Sequence, residues 1–255
     1  MVPSHSRSKK VAVLRPASGT LGIRLVCVPH AGGNPELFLP WADGLSPSVE
    51  LLAIRLPGHG PRIADPPRDQ WDALLADILE GLSGYLCEPH AFFGHCFGGR
   101  LAYELAHLAI AAGHAQAKHL FVAACRSPDT PHEGRYVHEM PDPEFLEVLR
   151  QRGASDDVLR NQSIMRFVLP AVRTEIRLAE LWNDRHRAAL NVPITAICAT
   201  DDAEDGRSKM EGWRTFSTEG CELVELHGGH FFFEDDPGLL LDVINSRLEK
   251  AACRS

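Results

Sequence analysis

Short apolar runs, rich in β-branched and aromatic residues, alternate along this chain with stretches whose apolar positions recur at helical spacing. The runs at 23–28, 51–56, 120–125, 194–199 and 223–226 each read as a strand, and 11–14 reads as a short edge strand. Another run, Ala91-Phe92-Phe93, ends abruptly in Gly94-His95-Cys96-Phe97-Gly98-Gly99. Residues 71–86 carry apolar side chains at 71, 74, 75, 78, 79 and 82, the spacing of one helical face. A second helix is expected from the Gly98-Gly99 pair to about Ala112, with a short helical segment at 38–41, another stretch around Trp213 and a closing helix over 239–250. Apolar strands alternating with helices predict an α/β fold, a mostly parallel sheet with helices on both faces.

That rhythm breaks between Arg126 and about Asn191. No convincing strand occurs there; helical patterns at 143–152 and 162–189 follow a proline-rich entry at Pro128 and Pro131. An insertion at this place in the order reads as a helical lid over an active site, the other reading being extra packing helices. The expected organisation is a flexible tail over 1–20, an α/β core from 21–125 and 192–255, and a lid over 126–191.

The turn after the 91–93 run carries the chain's main chemical signal. Gly-x-Cys-x-Gly between a strand and a helix sets Cys96 on a tight turn, where Gly94 and Gly98 leave room for the backbone. The helix N-terminus that follows offers its dipole and free N–H groups to a thiolate and a developing oxyanion. Alone, the motif equally suits a buried Cys in a glycine-rich turn. A nucleophile needs a base, and the base a third group to orient it. In the α/β-hydrolase arrangement these follow in the order nucleophile, acid, His. Here Asp201 and Asp202 follow the 194–199 strand, and His230 lies in a glycine-rich loop after the last strand. Loops at the C-terminal ends of parallel strands share one sheet edge, so the three can converge.

Asp202 is preferred to Asp201 because its position beyond the strand end gives more reach. His230 is preferred to His227 because Gly228-Gly229 permit the turn and Phe231-Phe232-Phe233 would anchor and dry the ring. His95 is expected to pack or hydrogen-bond beneath the turn. Oxyanion donors would be the backbone N–H groups of Phe97 and of Ala31, in Pro29-His30-Ala31-Gly32-Gly33.

Taken together, Val28-Pro29-His30-Ala31-Gly32-Gly33, Leu56-Pro57-Gly58-His59-Gly60, Gly94-His95-Cys96-Phe97-Gly98-Gly99, Ala102-Tyr103-Glu104-Leu105-Ala106 and Gly228-Gly229-His230-Phe231-Phe232 resemble the type II thioesterases. These are free-standing α/β-hydrolases that accompany polyketide synthases and nonribosomal peptide synthetases. The resemblance runs from about residue 22 to 250. It implies an α/β-hydrolase fold with a helical lid and a catalytic set of Cys96, Asp202 and His230. It implies hydrolysis of acyl groups from the phosphopantetheine thiol of acyl or peptidyl carrier proteins, with no metal or soluble cofactor. The substrate pocket would lie between lid and triad, with His30 as a candidate lining residue, and Phe167, Leu169 and Leu178 would line either that pocket or the lid's own core. Three positions depart from the family pattern. Cys96 stands where Ser is usual, Ala199-Thr200 where a Gly is common, and Ala203 where a Pro often sits.

The cysteine changes the chemistry to expect. An acyl group moved from a carrier thioester onto Ser becomes an oxyester, a downhill step; moved onto Cys it remains a thioester, nearly isoenergetic with the donor. A Cys elbow therefore permits hydrolysis and also transfer to a second carrier thiol, an amine or an alcohol. Dienelactone hydrolases share Gly-x-Cys-x-Gly-Gly but lack a large helical lid and the Pro-His-Ala-Gly-Gly loop. A non-catalytic carrier-binding protein would have no need of Asp202 and His230.

Composition narrows the setting. A hydrophobic fraction of 44% and a charged fraction of 24% are those of a globular protein able to bury a core, and the net charge of -8 disfavours nucleic acid or an anionic membrane as partner. Seven cysteines show no C-x-x-C pair, which suits reduced thiols better than a disulfide framework. The polar start has no apolar signal-peptide core, and no run reaches transmembrane length. A cytoplasmic monomer is expected.

Overall fold

The computed structural model describes residues 9–152, 156–183, 185–186, 188–235 and 237–252. Among these residues, seven strands form one sheet: β1 (Val11–Arg15), β2 (Ile23–Val28), β3 (Val49–Ile54), β4 (His90–His95), β5 (His119–Ala123), β6 (Ile194–Ala199) and β7 (Cys221–Leu226). Their order across the sheet is β1-β3-β2-β4-β5-β6-β7. Only β1 runs antiparallel, against β3; all other neighbours are parallel.

Two-residue alternation sends each strand into two apolar layers. Val26, Val28, Phe92, Leu120, Val122, Ala196 and Cys198 face one core, with α1 (Trp71–Leu82) and α2 (Phe97–Ala111). Leu25, Cys27, Phe93, Phe121, Ala123 and Ile197 face the other, with Phe38 and Trp41 of a 3-10 helix at Pro35–Trp41. That second layer is closed by α8 (Gly238–Ala252), through Leu240, Leu241, Ile244 and Leu248. Burial on both faces is why these strands read as continuous apolar runs.

Between β5 and β6 lie α3 (Asp142–Gln151), α4 (Asp156–Arg160) and α5 (Gln162–Glu180). Asn161 caps α5, its side chain accepting from the N–H groups of Ser163 and Ile164. Phe145 of α3 packs with Val172 and Ile176 of α5 in a small separate cluster. Two further short α-helices are α6 (Arg207–Met210) and α7 (Phe232–Asp235). No helix among the described residues is long and apolar enough to cross a membrane.

Several boundaries differ from the sequence reading, each for a local reason. The tail expected over 1–20 contains β1, held by its pairing to β3; residues 1–8 lie outside the described ones. The strand expected at 51–56 begins at Val49, because Val49 and Glu50 pair with Ile23 and Arg24, and it ends before Pro57. The first helix stops at Leu82 rather than 86; the N–H groups of Tyr85 and Leu86 turn back to the Leu82 carbonyl. The helix expected to reach 189 stops at Glu180. Beyond it Trp182 turns into the core, where its Nε1 donates to Glu104 Oε1 at 2.8 Å.

Candidate active site

β4 delivers the chain to the turn and α2 takes it away, so Cys96 is the N-cap between them, with φ 54° and ψ -115°. This is a left-handed conformation that a β-carbon resists, at a cost of about 1–3 kcal/mol. Two close approaches hold it in place. A β-carbon on Gly94 would lie 2.0 Å from the Gly98 carbonyl oxygen, and one on Gly98 would lie 2.1 Å from that of Val28. Only glycine permits α2 to start this near to β2 and β4. The Cys96 N–H donates to the Ala123 carbonyl at 2.8 Å, which ties the turn to β5.

The loops after β6 and β7 bring Asp202 and His230 to the same edge. His230 Nδ1 lies 2.9 Å from Asp202 Oδ2. The other oxygen of Asp202, Oδ1, accepts the N–H groups of Glu204 at 2.8 Å and Asp205 at 3.0 Å. Asp202 is therefore buried and fully bonded. Asp201 instead stays exposed beside the equally exposed His227, 4.0 Å away. Of the two acids and two histidines weighed from sequence, the structure joins Asp202 to His230 and leaves the others at the surface.

The remaining ring nitrogen, His230 Nε2, is buried and outside ideal hydrogen-bond geometry with any acceptor. The group it interacts with is the half-buried Cys96 thiol. Burial alone would push the thiol up, but the positive charge and hydrogen bond of His230, helped by Arg100, outweigh it and lower its pKa. Burial likewise opposes the His230 charge, and the Cys96 thiolate and Asp202 overcome it, holding the ring well above its ordinary range. Burial acts upward on Asp202 too, yet His230 and the two backbone N–H groups bring it down. All three shifts run in the direction that favours thiolate, imidazolium and carboxylate. By contrast, burial raises the Cys27 and Cys198 thiols, pushes Cys125 up to about 12 and Cys221 up to about 11. Cys253 lies outside the described residues.

His95 sits under this pair and donates from Nε2 to the His230 carbonyl at 2.7 Å. Burial first, then the neighbouring His230 and His30 charges, hold it well below the ordinary histidine range. Its bond to the His230 carbonyl ties down the His230 loop, in line with the expectation that His95 packs or hydrogen-bonds beneath the turn. Phe231, Phe232 and Phe233 surround the His95 ring at centroid distances of 5.6, 6.1 and 4.7 Å.

Neither the Ala31 nor the Phe97 N–H has an acceptor among the hydrogen bonds of the described residues. Phe97 is the first residue of α2, where the backbone N–H has no helical partner. Sequence reasoning missed what holds the Ala31 loop. Glu175 of α5 accepts the Gly32 N–H at 2.8 Å and the His59 Nε2–H at 2.7 Å, both over long sequence separations. Burial would lower the His59 pKa, but Glu175 outweighs it and raises it. The available signal was a charged residue at position 175, on the same helical face as Val172 and Ile176.

A cavity of about 780 Å³ opens from Cys96 and His230, walled by His30, the 31–34 loop, Leu149, Leu159, Ile164, Met165, Val168, Val172 and Ile176. His30 is on this wall, its Nδ1 donating to the Ala31 carbonyl at 2.9 Å and its Nε2 3.1 Å from Glu234 Oε1. Phe167, Leu169 and Leu178 are not. Phe167 is 38% exposed under the Arg166 guanidinium, Leu169 packs against the Phe145 cluster, and Leu178 belongs to the main core beneath α2. The helical face of α5 that meets the cavity runs through 165, 168, 172 and 176; Phe167 and Leu178 point off it, and Leu169, beside Ile176 on its edge, is taken up by the Phe145 cluster. Among the described residues, no group of three or more His, Cys, Asp or Glu is placed to hold a metal ion.

Comparison with known proteins bears on this geometry. A family model described as a thioesterase domain matches residues 23–248. Thioesterase PikA5 of Streptomyces venezuelae is 32% identical over 215 residues, covering 84% of this chain and 76% of that protein. Among solved structures, the type II thioesterase BorB from the borrelidin biosynthetic cluster superposes with a TM-score of 0.83 at 31% identity, over 94% of this chain and 97% of that one. The RedJ thioesterase from the prodiginine pathway of Streptomyces coelicolor gives a TM-score of 0.78 at 30% identity, over 91% of each chain.

Proposed function

This chain belongs to the thioesterase family, with an α/β-hydrolase fold, and from that premise we propose that it releases acyl groups from carrier proteins of polyketide or nonribosomal peptide biosynthesis through Cys96. The observation that carries the reading is the line from Cys96 through His230 to Asp202, set at the mouth of the 780 Å³ apolar cavity. The setting is supported by relatives: ClbQ, from the colibactin NRPS/PKS pathway, superposes with a TM-score of 0.83 at 26% identity over 91% of this chain, and a biosynthesis protein for gramicidin S, GrsT of Aneurinibacillus migulanus, is 26% identical over 89% of this chain.

In the first half-reaction the Cys96 thiolate attacks the thioester carbonyl carbon. The oxyanion is taken by the N–H groups of Ala31 and Phe97. The bond to the carrier sulfur breaks, and the departing sulfur takes the proton from His230 Nε2. An acyl-S-enzyme results. In the second half, His230 takes a proton from water, the hydroxyl oxygen bonds to the acyl carbon, and the Cys96 thiolate leaves. Asp202 holds the ring and balances its charge in both halves. The acyl group arrives on the carrier's phosphopantetheine arm, and the steps call on no further cofactor. Residues 126–191 act as the lid, because α3 and α5 supply most of the apolar wall.

Cys96 itself favours a second reading, acyl transfer. A thioester on Cys96 is nearly isoenergetic with the donor and can pass to a second carrier thiol, an amine or an alcohol. The test is an acyl-loaded carrier incubated with the protein, with and without a second unloaded carrier. Free acid alone supports hydrolysis; acyl group on the second carrier supports transfer; an untouched donor in both arms overturns both. Cys96→Ser sharpens the partition, because an oxyester commits the acyl group to water. Under transfer it raises hydrolysis and abolishes transfer, and an unchanged product ratio would contradict the role given to sulfur.

A further inference from the structure

A second cavity, about 410 Å³, also reaches Cys96 and has a different character. Its wall includes Arg100, Arg126 and Asp205, all nearly inaccessible to solvent. Arg100 is 5% exposed, yet its Nε and Nη1 have no hydrogen-bond partner. Among the described residues its side-chain hydrogen bond is a long one, Nη2 to Asp205 Oδ2 at 3.5 Å. Arg126 gives its hydrogen bonds to the carbonyl oxygens of Thr130, Ala179, Glu180 and Trp182, none of them charged. The Trp182 ring lies under both guanidiniums, 5.7 and 6.0 Å from their centres.

Charge is matched elsewhere on this wall. Arg152 pairs with Glu204 at 2.8 Å, Lys209 with Glu133 at 3.3 Å, and Glu180 with the His138 ring. Among the described residues, the buried Arg100 and Arg126 have one buried carboxylate beside them on this wall, Asp205, 3.5 Å from Arg100. A buried cation with unbonded N–H groups is costly unless an anion completes it. Cys96 attracts Arg100 across the site but makes no hydrogen bond to its Nε or Nη1, which stay without an acceptor.

Arg100 lies four residues past Cys96 on α2, about 6 Å along the helix. An anion that reaches it from a thioester on Cys96 is thus only a few bonds from the carbonyl. The phosphate of a pantetheine arm, at the far end of that arm, does not fit this spacing. We propose that the Arg100–Arg126 cavity is an acyl subsite for short acyl groups ending in a carboxylate, as in a dicarboxylic hemithioester, with Arg100 the residue that recognises the acid. The inference rests on Cys96 as acyl acceptor, and it names the substrate class that acceptor prefers. The Nη1–Nη2 edge of Arg100 presents the two parallel donors that a carboxylate takes, Nη1 without a partner and Nη2 held only by the long contact to Asp205. The large apolar cavity is left for the rest of the substrate.

The test reads binding and needs no turnover. N-methylsuccinamic acid and N-methylbutyramide differ only in the terminal carboxylate, their amide standing in for the thioester. Each is tested for slowing alkylation of Cys96 by iodoacetamide, followed by intact mass. The acid should protect at a concentration about tenfold lower than the neutral amide. That preference should fall to within about twofold in Arg100→Gln and survive in part in Arg100→Lys. Asp205→Asn, which removes the competing carboxylate, should increase it; a folding defect would not. Equal protection by the two ligands in the unaltered protein, or none by either, overturns the subsite. Comparison of the two ligands within each variant cancels any change in thiolate reactivity. A failure of thioester turnover would overturn the reading of Cys96 and leave this result legible on its own.

Discussion

Asp202→Asn keeps the shape of the site and removes one charge. The carboxylate lies 2.9 Å from His230 Nδ1, its side chain fully buried and the histidine's 10% exposed, so solvent does little to screen the pair. A hydrogen bond to a charged group is worth about 1.5–3 kcal/mol. At 1.36 kcal/mol per pKa unit, its loss lowers His230 by roughly 1–2 units. The imidazolium that holds the Cys96 thiolate is then weaker, and the thiol's pKa moves up toward its ordinary value. The rate of Cys96 alkylation by iodoacetamide, measured against pH, should therefore shift to higher pH by about 1–2 units, with a matching loss of thioester turnover near neutrality. Asp201→Asn is the control, since Asp201 is 65% exposed and 4.0 Å from a surface histidine, and it should leave the profile in place. An unmoved profile in Asp202→Asn, or an equal shift in Asp201→Asn, would refute this account of the acid.

Two further expectations concern the supports. Gly98→Ala puts a β-carbon 2.1 Å from the Val28 carbonyl oxygen and 2.6 Å from that of Pro29, both backbone, and should cost about 3 kcal/mol or more, several degrees in Tm by calorimetry. Gly113→Ala, at φ +81° in open space, should cost only about 1–2 kcal/mol of backbone strain, so equal losses would contradict the close-approach argument. Glu175→Gln should lower stability by about 1.5–3 kcal/mol and loosen the Gly32 loop. Because Glu175 raises His59, the pair's contribution is fully present below the unfolded histidine value of about 6.5 and is lost as pH rises through the folded one. The Tm gap between variant and parent should accordingly narrow from pH 6 to pH 9; a gap that widens would reverse the sign assigned here.

The strands were legible where both faces are buried. Residues 23–28 and 194–199 are apolar almost without interruption, and β2 and β6 start and stop at those runs. The order Cys96, Asp202, His230 was legible because loops after parallel strands share an edge, whatever the strand lengths. The cavity wall was not. The rotation of α5 puts 165, 168, 172 and 176 against the cavity and Phe167 and Leu178 on its far side, while Leu169, next to Ile176 on the wheel, packs in the lid's own cluster. Helical rotation is set by what the helix packs on, here Phe145 and the Ala31 loop. Glu175 and Arg100 were equally hidden, since their partners, Gly32 and Asp205, lie 143 and 105 residues away in sequence. Glu104 belongs to a recognised motif, yet its role is structural. It accepts from Trp182 Nε1 at 2.8 Å and His186 Nε2 at 3.0 Å, and so ties α2 to the chain leaving α5.

The central claim is that Cys96 carries the acyl group covalently. The most direct measurement is the intact mass of the protein, quenched in acid within the first turnovers on an acyl-loaded carrier, followed by peptide mapping. The account predicts one acyl adduct, on the peptide containing Cys96 and absent from Cys96→Ala. An adduct on another residue, or thioester turnover undiminished in Cys96→Ala, would contradict it.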